Sequence, residues 1–184
     1  MRSKKGQIWI ETAIYTLIGL AIIGIVLSIA TPAIDKYKDE ILIEQTIDGL
    51  DSLNQKIVEV KYMGGGNQRI ANVRIKKGNL VIDSENNQII YTLEDSKLEY
   101  SEPGLCIEQG AILIMTEKKG TKYDINLILN STNTNIFYNG KENKRVLTQS
   151  SVPYKISVKN NGTEEITVGS EILERAIIDI REIS

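Results

Sequence analysis

The chain is 184 residues long, enough for one or two small domains, and its 41% apolar and 25% charged residues give it the make-up of an ordinary globular protein. A net charge of −2 argues against a nucleic-acid partner, which needs clustered Lys and Arg. There is no His and a single Cys, Cys106, so the commonest general base and metal ligand are missing and no intramolecular disulfide can form.

In chain order, residues 1–6 are short, basic and polar, with Arg2, Lys4 and Lys5 ahead of Gly6. Next comes Gln7-Ile8-Trp9-Ile10-Glu11, and then 23 uncharged residues, 12–34, holding eleven Ile, Leu or Val. As a helix this run is about 35 Å long, enough to cross a hydrocarbon core of about 30 Å. Its aliphatic residues favour insertion by roughly 5 kcal/mol, and Glu11 lies near the end of the span, where a carboxylate reaches the interface. The basic start marks residues 1–6 as the cytoplasmic side, which puts the rest of the chain outside. Gly19 and Gly24 read as close-packing points between membrane helices. Pro32 removes a backbone donor, so a kink is expected there.

The helical pattern continues past the apolar run. Ile34, Tyr37, Ile41, Ile43, Ile47, Leu50, Leu53, Ile57 and Val60 recur every three or four residues, with Asp35, Lys38, Glu44, Asp48, Asp51 and Lys56 between them. This spacing predicts one long helix ending near Tyr62, stopped by Gly64-Gly65-Gly66. At about 80 Å it is too long for a compact domain of this size, so part of it must project.

After the glycines the period changes to two. Strands are predicted over 69–76 and 80–83, joined near Lys77-Gly78-Asn79, then over 88–93 after Asn86-Asn87, over 111–117 after Pro103-Gly104, and from Tyr123 onward after Lys119-Gly120. Residues 136–138 and 145–148 look like a hairpin about Asn139-Gly140. Tyr154, Ile156 and Val158 alternate with polar residues, and Asn160-Asn161-Gly162 is expected to turn into 165–168. The last element, 173–183, is open between helix and strand, and its isoleucines favour strand. Together these predict an α+β fold, a long N-terminal helix followed by an antiparallel, sandwich-like sheet domain.

No catalytic constellation stands out. Gly-x-Ser-x-Gly and Cys-x-x-Cys are absent, and no His can serve a nucleophile. Gly64-Gly65-Gly66 lacks the Lys-Ser/Thr of a phosphate loop. Asp83 and Glu85 read as a turn rather than a calcium site, the remaining acids as solvated faces, and Cys106 as a small buried hydrophobe. The chain reads as no enzyme and as needing no cofactor. Asn130-Ser131-Thr132 and Asn161-Gly162-Thr163 are N-glycosylation sequons.

A secretory signal places its small-residue cleavage site after the apolar region, whereas here Gly6 comes before it. Lys4, Lys5, Gly6, Gln7 and Glu11 ahead of an apolar helix resemble the class III signal peptide of archaeal type IV pilins. Trp9 stands where that family usually has Ser, and the resemblance covers roughly residues 2–62. It implies cleavage by a prepilin peptidase at Lys5-Gly6-Gln7, with the helix retained on the mature protein. Residues 1–6 would be the signal peptide, 7–34 the transmembrane and filament-core helix, 35–63 its amphipathic continuation, and 67–184 an extracellular β-rich head. Gln7, Glu11 and Pro32 become the assembly residues. Glu11, the fifth residue counted from Gln7, would pair with the new amine of its own or a neighbouring subunit. Implied partners are identical or related pilin subunits, an assembly ATPase and a membrane platform protein. The implied function is that of an adhesion-type pilin rather than an archaellin of the rotating filament. The alternatives are a minor pilin, or a single-pass anchored protein whose outer domain binds a ligand without polymerising.

Overall fold

The computed structural model describes residues 4–131, 134–168 and 171–183, and of residues 4–7, 167, 168, 171 and 172 the backbone alone. Helix α1 (Lys4–Met63) is followed by ten strands, β1 (Gln68–Val73), β2 (Asn79–Asp83), β3 (Gln88–Ser96), β4 (Cys106–Gln109), β5 (Ile112–Lys119), β6 (Lys122–Asn130), β7 (Thr134–Tyr138), β8 (Lys144–Thr148), β9 (Tyr154–Val168) and β10 (Glu171–Ile183). The fold is α+β, as the pattern of periods predicts. The chain divides into two units, Met1–Lys38 and Asp39–Ser184, so the first part of α1 belongs to one and its last part to the other.

In the first unit α1 runs on through Pro32 without a break. Its apolar side chains are exposed, Leu17 at 66% and Ile29 at 72% among them. The hydroxyls are satisfied within the helix. Thr12 donates to the Ile8 carbonyl (2.9 Å), Thr16 to Thr12 (2.8 Å), Ser28 to Ile25 (2.7 Å) and Thr31 to Leu27 (2.7 Å). These are all the Ser and Thr residues of 12–34. A helix that closes its own polar groups in this way suits an environment without water.

The second unit is built on two sheets. One has the order β1-β9-β10-β7 and the other β4-β5-β6-β3-β2-β8. The six-stranded sheet is antiparallel throughout. In the four-stranded sheet β10 runs antiparallel to β9 but parallel to β7. Strand alternation turns Leu80, Ile82, Ile89, Tyr91, Leu93, Ile112, Ile114, Ile125, Leu127 and Leu129 inward from the larger sheet. They form one core with Val73, Ile156, Val158, Ile178 and Ile180 of the smaller sheet and with Ile43, Ile47, Leu50, Leu53, Ile57 and Val60 of α1. Each such side chain contributes about 1.5–3 kcal/mol by leaving water. The helical stripe is therefore real, but it begins at Leu42. Ile34, Tyr37 and Ile41, which share its spacing, are exposed.

The structure corrects several expectations about connections. β1 and β2 are not partners. The chain leaves the smaller sheet after Val73 and enters the larger one at Asn79. Gly78 makes this bend possible, since its φ is +78° and a Cβ there would lie 2.3 Å from the Thr92 carbonyl oxygen. Asn139-Gly140 does form a tight turn, with φ of 53° and 71° and paired backbone bonds between Tyr138 and Lys141 (3.0 and 3.2 Å). The hairpin ends there, because β7 is taken up by β10 and β8 by β2. Backbone N–H groups of the turn are held by β10, Asn139 to the Ile180 carbonyl (3.1 Å) and Gly140 to the Asp179 carboxylate (2.7 Å).

Asn160-Asn161-Gly162 is not a turn but a bulge inside the continuous strand β9. Ala176 pairs with Thr163 and Ile178 with Asn160, so Asn161 and Gly162 stand opposite Ile177 alone. Gly162 has φ of +111°, and its N–H donates to Oδ1 of Asn160 (2.8 Å). The last element is strand, and β4 is a strand the sequence pattern did not announce. Cys106 is exposed on β4, at the edge of the sheet, rather than buried.

Candidate functional site

The candidate site on the first unit is the start of α1 and the apolar surface behind it. Lys4, Lys5, Gly6 and Gln7 all lie on the helix, so the expected cleavage point falls within its first turns. Those turns are the weakest part of any helix, because the first four N–H groups have no partner four residues back and Gly6 costs about 1 kcal/mol relative to Ala. No acidic residue stands in the first turn. Glu11 is exposed and lies one turn beyond Gln7, on the same helical face. Removal of residues 1–6 would bring Glu11 to the fifth position, near the positive end of the helix dipole.

Behind Glu11 the helix is long and apolar enough to cross a membrane, and its most hydrophobic window is 0% buried within the chain. Gly19 and Gly24 have nothing within 4 Å of a built Cβ, so any packing they serve involves a surface outside this chain. Trp9, at 81% exposure, is the most exposed large apolar side chain of the segment.

On the second unit the structure places residues that pattern reading missed. Asn160 is fully buried, and its Nδ2 donates to the carbonyls of Val60 (2.9 Å) and Lys61 (3.5 Å) in the last turn of α1. Asn67 Nδ2 serves the carbonyls of Met63 (2.8 Å) and Gly64 (3.1 Å). Gly64 itself takes the left-handed conformation, φ +83°, that commonly ends a helix. The backbones of Asn67 and Asn160 are also bonded (2.9 Å), so the helix end is fastened to β9 at its bulge. The sequence offers no signal that separates Asn160 from its neighbour Asn161, because burial alone distinguishes them.

The same bulge displays Asn161 and Thr163 of one sequon to solvent. Asn130, at the end of β6, is also exposed, and the third residue of its sequon, Thr132, lies outside the described residues. Three acids expected on solvated faces, Asp39, Asp124 and Asp179, are instead buried, and so is Asp83, expected in a turn. Each is paired. Asp39 takes Lys77 Nζ and Ser96 Oγ (both 2.8 Å), fixing α1 to the larger sheet. Asp83 takes Asn86 Nδ2 (2.9 Å), the Asn86 N–H (3.3 Å) and Lys144 Nζ (3.0 Å), which leaves the position of a cation filled by Lys144. Asp124 pairs with Lys119, and Asp179 with Arg181. For both Asp83 and Asp124, burial works against the charged form. Hydrogen bonds outweigh it, from Asn86 and Lys144 in one case and Lys119 and the Asp95 N–H in the other, so both carboxyls titrate below their ordinary value. Among the described residues no cluster of His, Cys, Asp or Glu could hold a metal ion.

No protein-family model matches the chain, and no curated protein or solved structure matches it either.

Proposed function

We propose that this chain is the structural subunit of a surface filament of the archaeal type IV pilus kind, serving adhesion. The observation that carries the reading is a helix start of Lys5-Gly6-Gln7 and Glu11 leading into an apolar surface that the chain itself leaves wholly uncovered. A surface of that size needs lipid or other apolar helices around it. In this reading the helix is first stored in the cytoplasmic membrane with the β-rich unit outside. A prepilin peptidase cuts between Gly6 and Gln7, and an assembly ATPase and platform protein draw subunits out. The apolar helices then bundle, with Gly19 and Gly24 at close approaches and Glu11 balancing the Gln7 amine. Exposed Asn130 and Asn161 carry glycans on the outer surface. The protein acts through assembly rather than catalysis and needs no cofactor.

The test is the mature N-terminus, read by mass spectrometry, together with electron microscopy of shed filaments. A chain beginning at Gln7, found in filaments built mainly from it, is the expected result. Gly6→Val should block cleavage and leave the full chain in the membrane. A mature chain beginning at Met1 overturns the reading and favours an anchored protein that does not polymerise.

A further inference from the structure

The second unit contains a cleft of about 380 Å³ between the core-facing side of α1 and the segment that carries the chain from β1 to β2. That volume lies in the range of small-molecule sites. Its wall is apolar where Leu50, Val73 and Tyr91 line it, and its rim bears Arg74 and Lys76. No Asp or Glu lines it, although the chain as a whole is acidic.

Two features mark the cleft as kept open. Gly49 lies in the middle of α1, where Gly costs about 1 kcal/mol relative to Ala. Neither backbone nor packing requires it, since its φ is not in the left-handed region and nothing stands within 4 Å of a built Cβ. What the missing side chain preserves is space, because Gly49 faces the cleft. The second feature is Arg74. It is exposed, and among the described residues neither a hydrogen bond nor an ion pair engages it. Beside it Lys76 Nζ donates to Gln45 Oε1 (2.7 Å) and retains two further N–H groups. Tyr91 supplies its ring but no donor, since its hydroxyl proton is already given to the Lys77 carbonyl (2.5 Å).

We propose that this cleft binds a small organic anion with an apolar body, an aryl- or alkyl-carboxylate, whose carboxylate meets Arg74 and Lys76 and whose hydrocarbon lies on Leu50, Val73 and Tyr91. Arg offers two parallel N–H groups that match a carboxylate. The inference does not depend on filament assembly.

The probes are 3-phenylpropanoate and its uncharged amide, titrated by ligand-observed NMR against the full chain in lipid nanodiscs, with empty nanodiscs as background. Saturable binding of the carboxylate is expected, with the amide and the Arg74→Met variant each weaker by about tenfold, the loss of one charge-assisted bond. Gly49→Leu should abolish binding without lowering the melting temperature. Arg74 is exposed, so its replacement tests the site even where Gly49→Leu disturbs folding. No saturable binding up to about 1 mM, an affinity too weak for a built site, overturns the proposal. Equal binding by Arg74→Met, or of the amide, overturns it too.

Discussion

At the scale of single residues, two polar side chains have sharply different surroundings and separable roles. Asn160 is fully buried and serves the carbonyls that end α1. Its neighbour Asn161 is exposed. Asn160→Ala should therefore lower stability by about 1–3 kcal/mol, the cost of leaving buried acceptors unmet, as read by denaturant unfolding. Asn161→Ala should change it by less than about 0.5 kcal/mol, as for ordinary surface positions. Equal losses from both would show that the bulge, not the amide, holds the helix end. Glu11 belongs to the other unit, and the role proposed for it is in assembly. An unmatched charge in an apolar filament core costs several kcal/mol, and a carboxylate near the Gln7 amine recovers much of it. Glu11→Gln should leave membrane insertion and cleavage intact while sharply reducing filament yield. Wild-type amounts of filament from that variant would rule the pairing out.

At the scale of elements, local pattern and long-range pairing part company. The apolar run, the three- and four-residue spacing from Ile43 to Val60, and the alternation in 88–93 and 111–117 are written in adjacent residues, and those elements are where the sequence reading puts them. The partners of each strand are not local. Asn139-Gly140 carries the full signature of a hairpin and makes the turn, yet contacts with β10 redirect β7 into a parallel pair. Asn160-Asn161-Gly162 has turn composition, but a residue buried against α1 converts it into a bulge. The exposure of Ile34, Tyr37 and Ile41 was illegible for the same reason, since spacing marks a face without saying where its cover begins. Gly6 and Glu11 can be singled out from neighbouring residues in the sequence, whereas the cleft, built from segments far apart in it, cannot. The hairpin turns also govern acid stability. Asp83 and Asp124 have folded pKa values below the ordinary 3.8. Such groups contribute their full stability above that value and lose it as the pH falls through the lower folded one. Thermal unfolding should thus be nearly flat above about pH 5 and fall steeply below about pH 4, with the fall smaller in Asp83→Asn, Asp124→Asn. An unchanged acid profile in the double variant would show that other carboxylates dominate.

At the scale of the whole molecule, the boundary between the units at Lys38 and Asp39 separates a surface the chain leaves bare from a core it closes itself. A fragment starting at Asp35 should be soluble, mixed in helix and strand by circular dichroism, and cooperative in unfolding. A fragment starting at Gln68 should aggregate, because it lacks Ile43 to Val60 and bares the core they cover. A well-folded product from the shorter fragment would mean the helix is an accessory. One further consequence lies in the place of β10, the last strand in chain order yet an interior member of its sheet, between β9 and β7. Until residues 171–183 have been made, β7 has no partner strand and β9 lacks one neighbour. The apolar helix is synthesised first, and at about 5–20 residues per second the final strand follows on the order of ten seconds later. If the β-rich unit lies outside the membrane, as proposed, the timetable of synthesis would keep its sheet open until the crossing is under way.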